Sequence, residues 1–259
     1  MRLGLCAVMG VLLGAGLCLA KGGDAPAGQF QLGATLQPLA TIPMKSAEIS
    51  AYMPEKKKLF VVGGDNLLEI VDLSDVAKPR VVRTVSLGGD ASSVTVNGNL
   101  FAVSLLNAPE WKKGHVQVMR YTDSLEVLGF FEVCHQPDML TFTPDGSALL
   151  VACEGSPDMN FHEDPEGGVA IVTAPKSGPW SRLEIAVAGF DGLDTASLMA
   201  QGVRRTGAQG FVKSLEPEYI TVSPDSKTAW VSLQENNAIA VVDIAAKKIP
   251  NVYPLGFVD

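Results

Sequence analysis

The stretch Met139-Leu-Thr-Phe-Thr-Pro-Asp-Gly-Ser-Ala-Leu-Leu-Val151 returns 80 residues later as Tyr219-Ile-Thr-Val-Ser-Pro-Asp-Ser-Lys-Thr-Ala-Trp-Val231, with Pro144-Asp145 falling on Pro224-Asp225. An earlier copy, Ile49-Ser-Ala-Tyr-Met-Pro-Glu-Lys-Lys-Lys-Leu-Phe-Val61, precedes the first by 90 residues, and Ser93-Val-Thr-Val-Asn-Gly-Asn-Leu-Phe-Ala-Val103 lies about midway between them. Each copy reads as an apolar or β-branched run, a tight turn and a second run. Proline presets φ for the turn, and Asp, Asn or Gly accepts its geometry. A third run follows in Leu67-Leu-Glu-Ile-Val-Asp72 and in Ala238-Ile-Ala-Val-Val-Asp243. If 90 residues hold two units and 80 hold one unit plus an insertion, the basic period is about 45 residues. Several antiparallel strands per unit at that period mark a β-propeller blade, in preference to a β-sandwich with accidental similarity. The expected fold is all-β: an incomplete propeller of about four blades.

Working outward, further runs of strand length are His115–Tyr121 and Val169–Val172. Only Leu193–Val203, with Leu198, Met199 and Val203 spaced for one face, resembles a helix. The extra length falls at about 155–214 and holds a polar stretch, one strand and that helix, a long excursion of the kind that carries function. Trp230 is expected in the core. Four units are too few for the usual closed ring, so the chain reads as the front half of a longer protein, with an open apolar edge through which copies could self-associate.

The chain has 259 residues, of which 47% are hydrophobic, so it can build a core. A net charge of −8 argues against nucleic acid or an anionic membrane surface as a partner. Residues 3–20 carry no charge and stand between Arg2 and Lys21, the pattern of a secretory signal, with cleavage expected after Ala20. Residues 21–46 then form a linker and lead-in strand, and 47–259 the propeller. No second segment is long and apolar enough to span a membrane. The expected location is therefore secreted, periplasmic or at the cell surface. Removal of the signal takes Cys6 and Cys18 and leaves Cys134 and Cys153 in an oxidising compartment, either as one disulfide or as two separate buried thiols.

Acids and amides gather at strand ends: Asp138 and Glu154; Asp164 and Glu166 in the insertion; Glu216 and Glu218; and Glu235 with Asn236. An antiparallel hairpin brings its start and finish together, so Asp138 should face Glu154 and Glu218 should face Glu235. Such pairs repel unless protonated, or bridged by a cation or an arginine, for which Arg204 and Arg205 are candidates. Carboxylate and amide oxygens suit a hard cation, Ca²⁺ or another divalent ion, although the spacing is not that of an EF-hand. His115, His135 and His162 have no nucleophile elbow beside them, and there is no nucleotide-binding loop or H-E-x-x-H motif.

Glu216-Pro-Glu-Tyr219, Leu233-Gln-Glu-Asn-Asn237, Gln136-Pro-Asp-Met139, Glu154-Gly155, Asp164-Pro-Glu-Gly-Gly168 and Pro254-Leu-Gly-Phe-Val-Asp259 resemble the choice-of-anchor I domain family over nearly all of the chain after the signal. The resemblance implies an extracellular propeller related to YVTN-repeat and quinoprotein types. It spans bacterial secreted proteins labelled alkaline phosphatase-like and cell-surface glycoproteins of animal mesenchyme. Ala152-Cys-Glu-Gly155 keeps the acid but not the amide of the family's usual Ala-Asn-Glu-Gly. These implications give an exported binding domain as the first functional expectation, a metal-dependent phosphoesterase as the second and an inactive remnant of a longer protein as the third.

Overall fold

A computed structural model describes residues 38–63, 65–109, 111–160, 162–175, 180, 183–206 and 210–256. The expected signal segment lies outside the described residues. The described residues form four antiparallel four-stranded sheets, each a simple up-and-down meander. The first blade is β1 (Ile49–Met53), β2 (Lys58–Val62), β3 (Leu67–Asp72) and β4 (Arg80–Ser86). The second is β5 (Ala91–Asn97), β6 (Leu100–Leu105), β7 (Lys113–Arg120) and β8 (Glu126–His135). The third is β9 (Pro137–Phe142), β10 (Ala148–Cys153), β11 (Gly168–Thr173) and β12 (Glu184–Ala188), and the fourth is β13 (Ile220–Val222), β14 (Thr228–Leu233), β15 (Ala238–Asp243) and β16 (Lys248–Pro254). The first strands are neighbours, β1 against β5, β5 against β9 and β9 against β13, which places them on the inside of the arc.

Side chains alternate across a strand, and here both faces are used. Along β10, Leu149, Val151 and Cys153 enter the core shared with blade two, while Ala148, Leu150 and Ala152 enter the core shared with blade four. Every residue of β10 is therefore buried. The same division along β6 sends Phe101, Val103 and Leu105 toward blade one and Ala102 toward blade three. Three inter-blade cores join the four blades. In the core between blades one and two, Phe60 and Phe101 lie 4.5 Å apart between ring centroids, with Tyr121 edge-on to Phe60.

The outermost strand of each blade is the one the sequence conceals. In β4 exposed and partly buried residues alternate along Arg80–Ser86, because its edge looks outward and only one face meets a neighbour. No continuous apolar run marks it. The interval 155–214 accordingly divides: β11 and β12 complete blade three, and the extra length splits into the loop 154–167 and the linker 189–219. A short helix, α1 (Thr195–Ala200), sits in that linker, capped by Asp194, whose carboxylate accepts the Ser197 amide at 3.1 Å.

The repeated turns are built alike. Asp145 Oδ1 accepts Thr143 Oγ1 at 2.7 Å and the Ser147 amide at 2.9 Å. Asp225 Oδ1 accepts Ser223 Oγ at 2.6 Å and the Lys227 amide at 3.2 Å. The bonds from Thr143 and Ser147 hold the Asp145 carboxyl down at about 2, and those from Ser223 and Lys227 lower that of Asp225.

Trp230 departs from the expectation of a core position. It is 42% exposed, on the face of blade four opposite Ala229, Val231 and Leu233. Register places it between Thr221 and Val241, on the face that no fifth sheet covers among the described residues. Blade one is closed differently: Lys45 donates its amide to the buried Glu69 carboxylate at 3.0 Å, and Ser46 lies against Gly63.

The cysteine alternatives resolve to a disulfide, Cys134–Cys153, with Cα atoms 5.8 Å apart. It crosses from the last strand of blade two to the second strand of blade three. Among the described residues, no helix is long and apolar enough to cross a membrane. Replacing Phe101 by alanine, which empties the fully buried contact with Phe60, is expected to cost about 3–5 kcal/mol by urea denaturation, against under about 1 kcal/mol for alanine at the exposed Val82. The Cys134→Ser, Cys153→Ser variant should lose about 2–4 kcal/mol in the same measurement.

Candidate functional site

In an up-and-down blade, the start of the first strand, the end of the second, the start of the third and the end of the fourth share one rim. That rim collects Asp138 at the start of β9, Glu154 just after β10, and Glu216 and Glu218 just before β13. It also collects Glu235 in the turn between β14 and β15, and Asp164 in the loop 154–167. Both expected pairs meet. Glu154 donates its amide to the Gln136 carbonyl at 3.0 Å, and its charge bears on Asp138; Glu218 and Glu235 share a side-chain hydrogen bond.

The two pairs also reach each other. Burial first, then the Glu154 charge and, more weakly, that of Glu48, lifts Asp138 to about 6. Burial, then Glu154, Glu235 and Asp164, lifts Glu216 to about 7. For Glu218 the order is burial, the hydrogen bond its neutral carboxyl donates to Glu235, then the charges of Glu235, Glu154 and Asp138, and the result is about 8. The cause is common to all three: carboxylates withdrawn from water and facing one another favour their neutral forms.

Backbone proximity brings them together. Gly155 adopts φ +69°, and a Cβ there would stand 2.6 Å from the Gly167 nitrogen. A Cβ on Gly167 would stand 2.4 Å from the Leu215 carbonyl oxygen and 2.7 Å from that of Glu154. Glycine at both positions lets the loop 154–167 lie directly on the strand end and on the linker carrying Glu216. Asn236, fully buried, ties the same linker to the β14–β15 turn. Its amide nitrogen donates to the Arg204 carbonyl at 3.0 Å and the Ser214 carbonyl at 2.5 Å, and its oxygen accepts the Glu216 amide at 3.2 Å. Asn236, a cation-ligand candidate from sequence, thereby positions the Glu216 backbone.

Glu166 is exposed, outside the cluster. Glu48 joins it unannounced, although the repeat could have found it: Glu48, Asp138 and Glu218 stand at the same offsets of 90 and 80 as the three matching strands. Of the two expected counter-ions, Arg204 instead directs its guanidinium at the Gln234 carbonyl. The ion pairs Lys58–Asp72, Arg80–Asp72, Lys113–Glu132, Arg120–Glu126 and Lys247–Glu184 lie away from Asp138, Glu216, Glu218 and Glu235. No three carboxylate, imidazole or thiol groups among the described residues converge closely enough to hold one metal ion. His115 stacks on Phe130, His135 Nδ1 meets the Trp111 carbonyl at 2.7 Å, and His162 is exposed.

Four meander blades with their loops and linkers gathered on one rim define a protein of the β-propeller class. Residues 48–259 match the choice-of-anchor I domain, and the chain belongs to that family. A mesenchyme-specific cell surface glycoprotein of Strongylocentrotus purpuratus is 44% identical over 132 residues, covering 48% of this chain and 17% of its own. Among solved structures, a candidate 6-phosphogluconolactonase from Bacteroides uniformis superposes with a TM-score of 0.52 at 17% identity, over 76% of this chain and 50% of that one. A chain of the nidogen/laminin complex gives 0.50 at 13% identity, over 81% and 64%. These two establish likeness of fold. The chain thus spans about one-sixth of its glycoprotein relative and half of the first structure.

Carboxyls whose folded values lie above their unfolded ones contribute stability that is fully present below about pH 4 and lost as pH rises through about 6, 7 and 8. Thermal melting should therefore show their contribution fading from pH 5 to pH 8.5, and Glu216→Gln with Glu218→Gln should flatten that decline. The Gly167→Ala variant should melt lower than the parent, because its Cβ meets two backbone carbonyls that cannot step aside.

Proposed function

We propose that this chain is an extracellular binding domain whose acidic rim engages a positively charged ligand. The carrying observation is the set of mutually repelling carboxylates, which the fold withdraws partly from water at the rim at a cost in stability that a bound cation would offset. Membership of the choice-of-anchor I family and a cell-surface glycoprotein relative support the extracellular setting. The name of neither supports the phosphoesterase reading, and a two-metal hydrolytic centre would need ligands that converge, which the described rim residues do not.

A divalent cation such as Ca²⁺ is a second reading, favoured by the number of oxygen donors at the rim. Side chains would have to turn inward on binding for it to be held. Melting the full chain at pH 7.5 with CaCl₂ and, separately, with spermidine tests both readings. At least one cation is expected to raise the melting temperature, with the gain abolished in the Glu218→Gln, Glu235→Gln variant. A melting temperature indifferent to both would overturn the proposal.

A further inference from the structure

On the rim opposite the acids, the hairpin turns of blades two, three and four are tied to one another. Asn97 Nδ2 donates to the Thr143 carbonyl at 3.3 Å, and the Asp145 amide donates to Ser226 Oγ at 3.1 Å. The first tie depends on Asn97 remaining an amide, since a carboxylate has no N–H to give. Asn97 is also the one asparagine of the chain that is followed by glycine.

That neighbour decides its chemistry. Ring closure at an asparagine needs the next backbone nitrogen to reach the side-chain Cγ, and a Cβ on the next residue obstructs the approach. Gly98 is exposed and holds φ +57° in the two-residue turn between the paired Asn97 and Leu100. Apart from its chain neighbours, nothing stands within 4 Å of where its Cβ would be. The nearby Asp145-Gly146 turn has the same spacing, but its carboxyl is held ionised by Thr143 and Ser147, and a carboxylate is a poor electrophile. Asn236 is fully buried, its amide is fixed by three hydrogen bonds, and Asn237 follows it.

We infer that Asn97-Gly98 is a site of self-modification, at which the asparagine converts to aspartate or isoaspartate and releases the tie between blades two and three. The Gly98 nitrogen gives up its proton and forms a bond to Asn97 Cγ. The Cγ–Nδ2 bond breaks, ammonia leaves carrying a proton, and a succinimide remains. Water then opens the ring at either carbonyl. The product turns a carboxylate toward the Thr143 carbonyl, beside the turn that holds the ionised Asp145, so that a donor facing an acceptor becomes two acceptors face to face.

Ageing the full chain in mildly alkaline buffer, followed by protease digestion and peptide mass spectrometry, tests the inference, with the free peptide Val94–Val103 as reference. Asn97 should convert in the folded chain at a rate within roughly tenfold of the peptide's, a barrier difference of no more than about 1.4 kcal/mol. Conversion should slow in mildly acidic buffer, because the attacking nitrogen must lose its proton. Asn66, Asn107 and Asn251, followed by Leu67, Ala108 and Val252, should keep their amides over the same time. The product variant Asn97→Asp should melt below the parent and below Asn99→Asp, which places the same charge in the exposed part of the same turn. Asn97 intact when the free peptide has converted, conversion at Asn107 as fast as at Asn97, or an Asn97→Asp chain as stable as Asn99→Asp overturns the inference.

Discussion

A strand such as β10, apolar on both faces, is stable only with a second sheet on either side, and that two-sided burial holds the molecule together. Leu149 and Leu150 are neighbours in sequence, yet they belong to different cores. Each blade is therefore half of two interfaces, and no blade completes its core alone. The fold is a chain of mutual coverings, and among the described residues no sheet lies against the face that carries Trp230. At the other end, Lys45 and Ser46 close over blade one by backbone contact.

Stacking of this kind has a consequence for the rim. Because every meander starts and finishes at the same end, whatever chemistry the repeat carries at its strand starts is multiplied around the inner circle. Acids at matching positions of blades one, three and four are thereby brought within electrostatic range of one another. The connections reinforce this: Gly155 and Gly167 let a loop lie against the linker before β13, and Asn236 pins that linker through three hydrogen bonds. The Cys134–Cys153 bridge, one residue from Glu154, fixes blade two to blade three directly behind the same site. Rigid backbone thus sustains a concentration of like charge that free side chains would avoid.

Much of the architecture was legible because propeller blades carry their own period. The Pro-Asp turns and the inner three strands of each unit follow from alternation and turn chemistry, both local properties. The fourth strands did not announce themselves. Arg80–Ser86 and Glu184–Ala188 mix exposed with half-buried residues, so their pairing depends on the strand beside them rather than on an apolar run of their own. The acid pairs Asp138–Glu154 and Glu218–Glu235 could be read from hairpin geometry, since both members lie on one hairpin. Glu48 was available through the same repeat offsets.

By itself, then, the sequence determined the blade as a unit, the order of strands within it and the rim on which the acids would fall, because each of these is set by interactions among residues near one another along the chain. The tertiary structure alone decided that Asn236 would hold the Glu216 backbone, and that Trp230 would face outward. It also decided that Asp164 and Glu216, 52 positions apart, would be buried on the same rim. Those outcomes depend on how separate blades and linkers close over one another, and burial is a property of that closure rather than of any one segment.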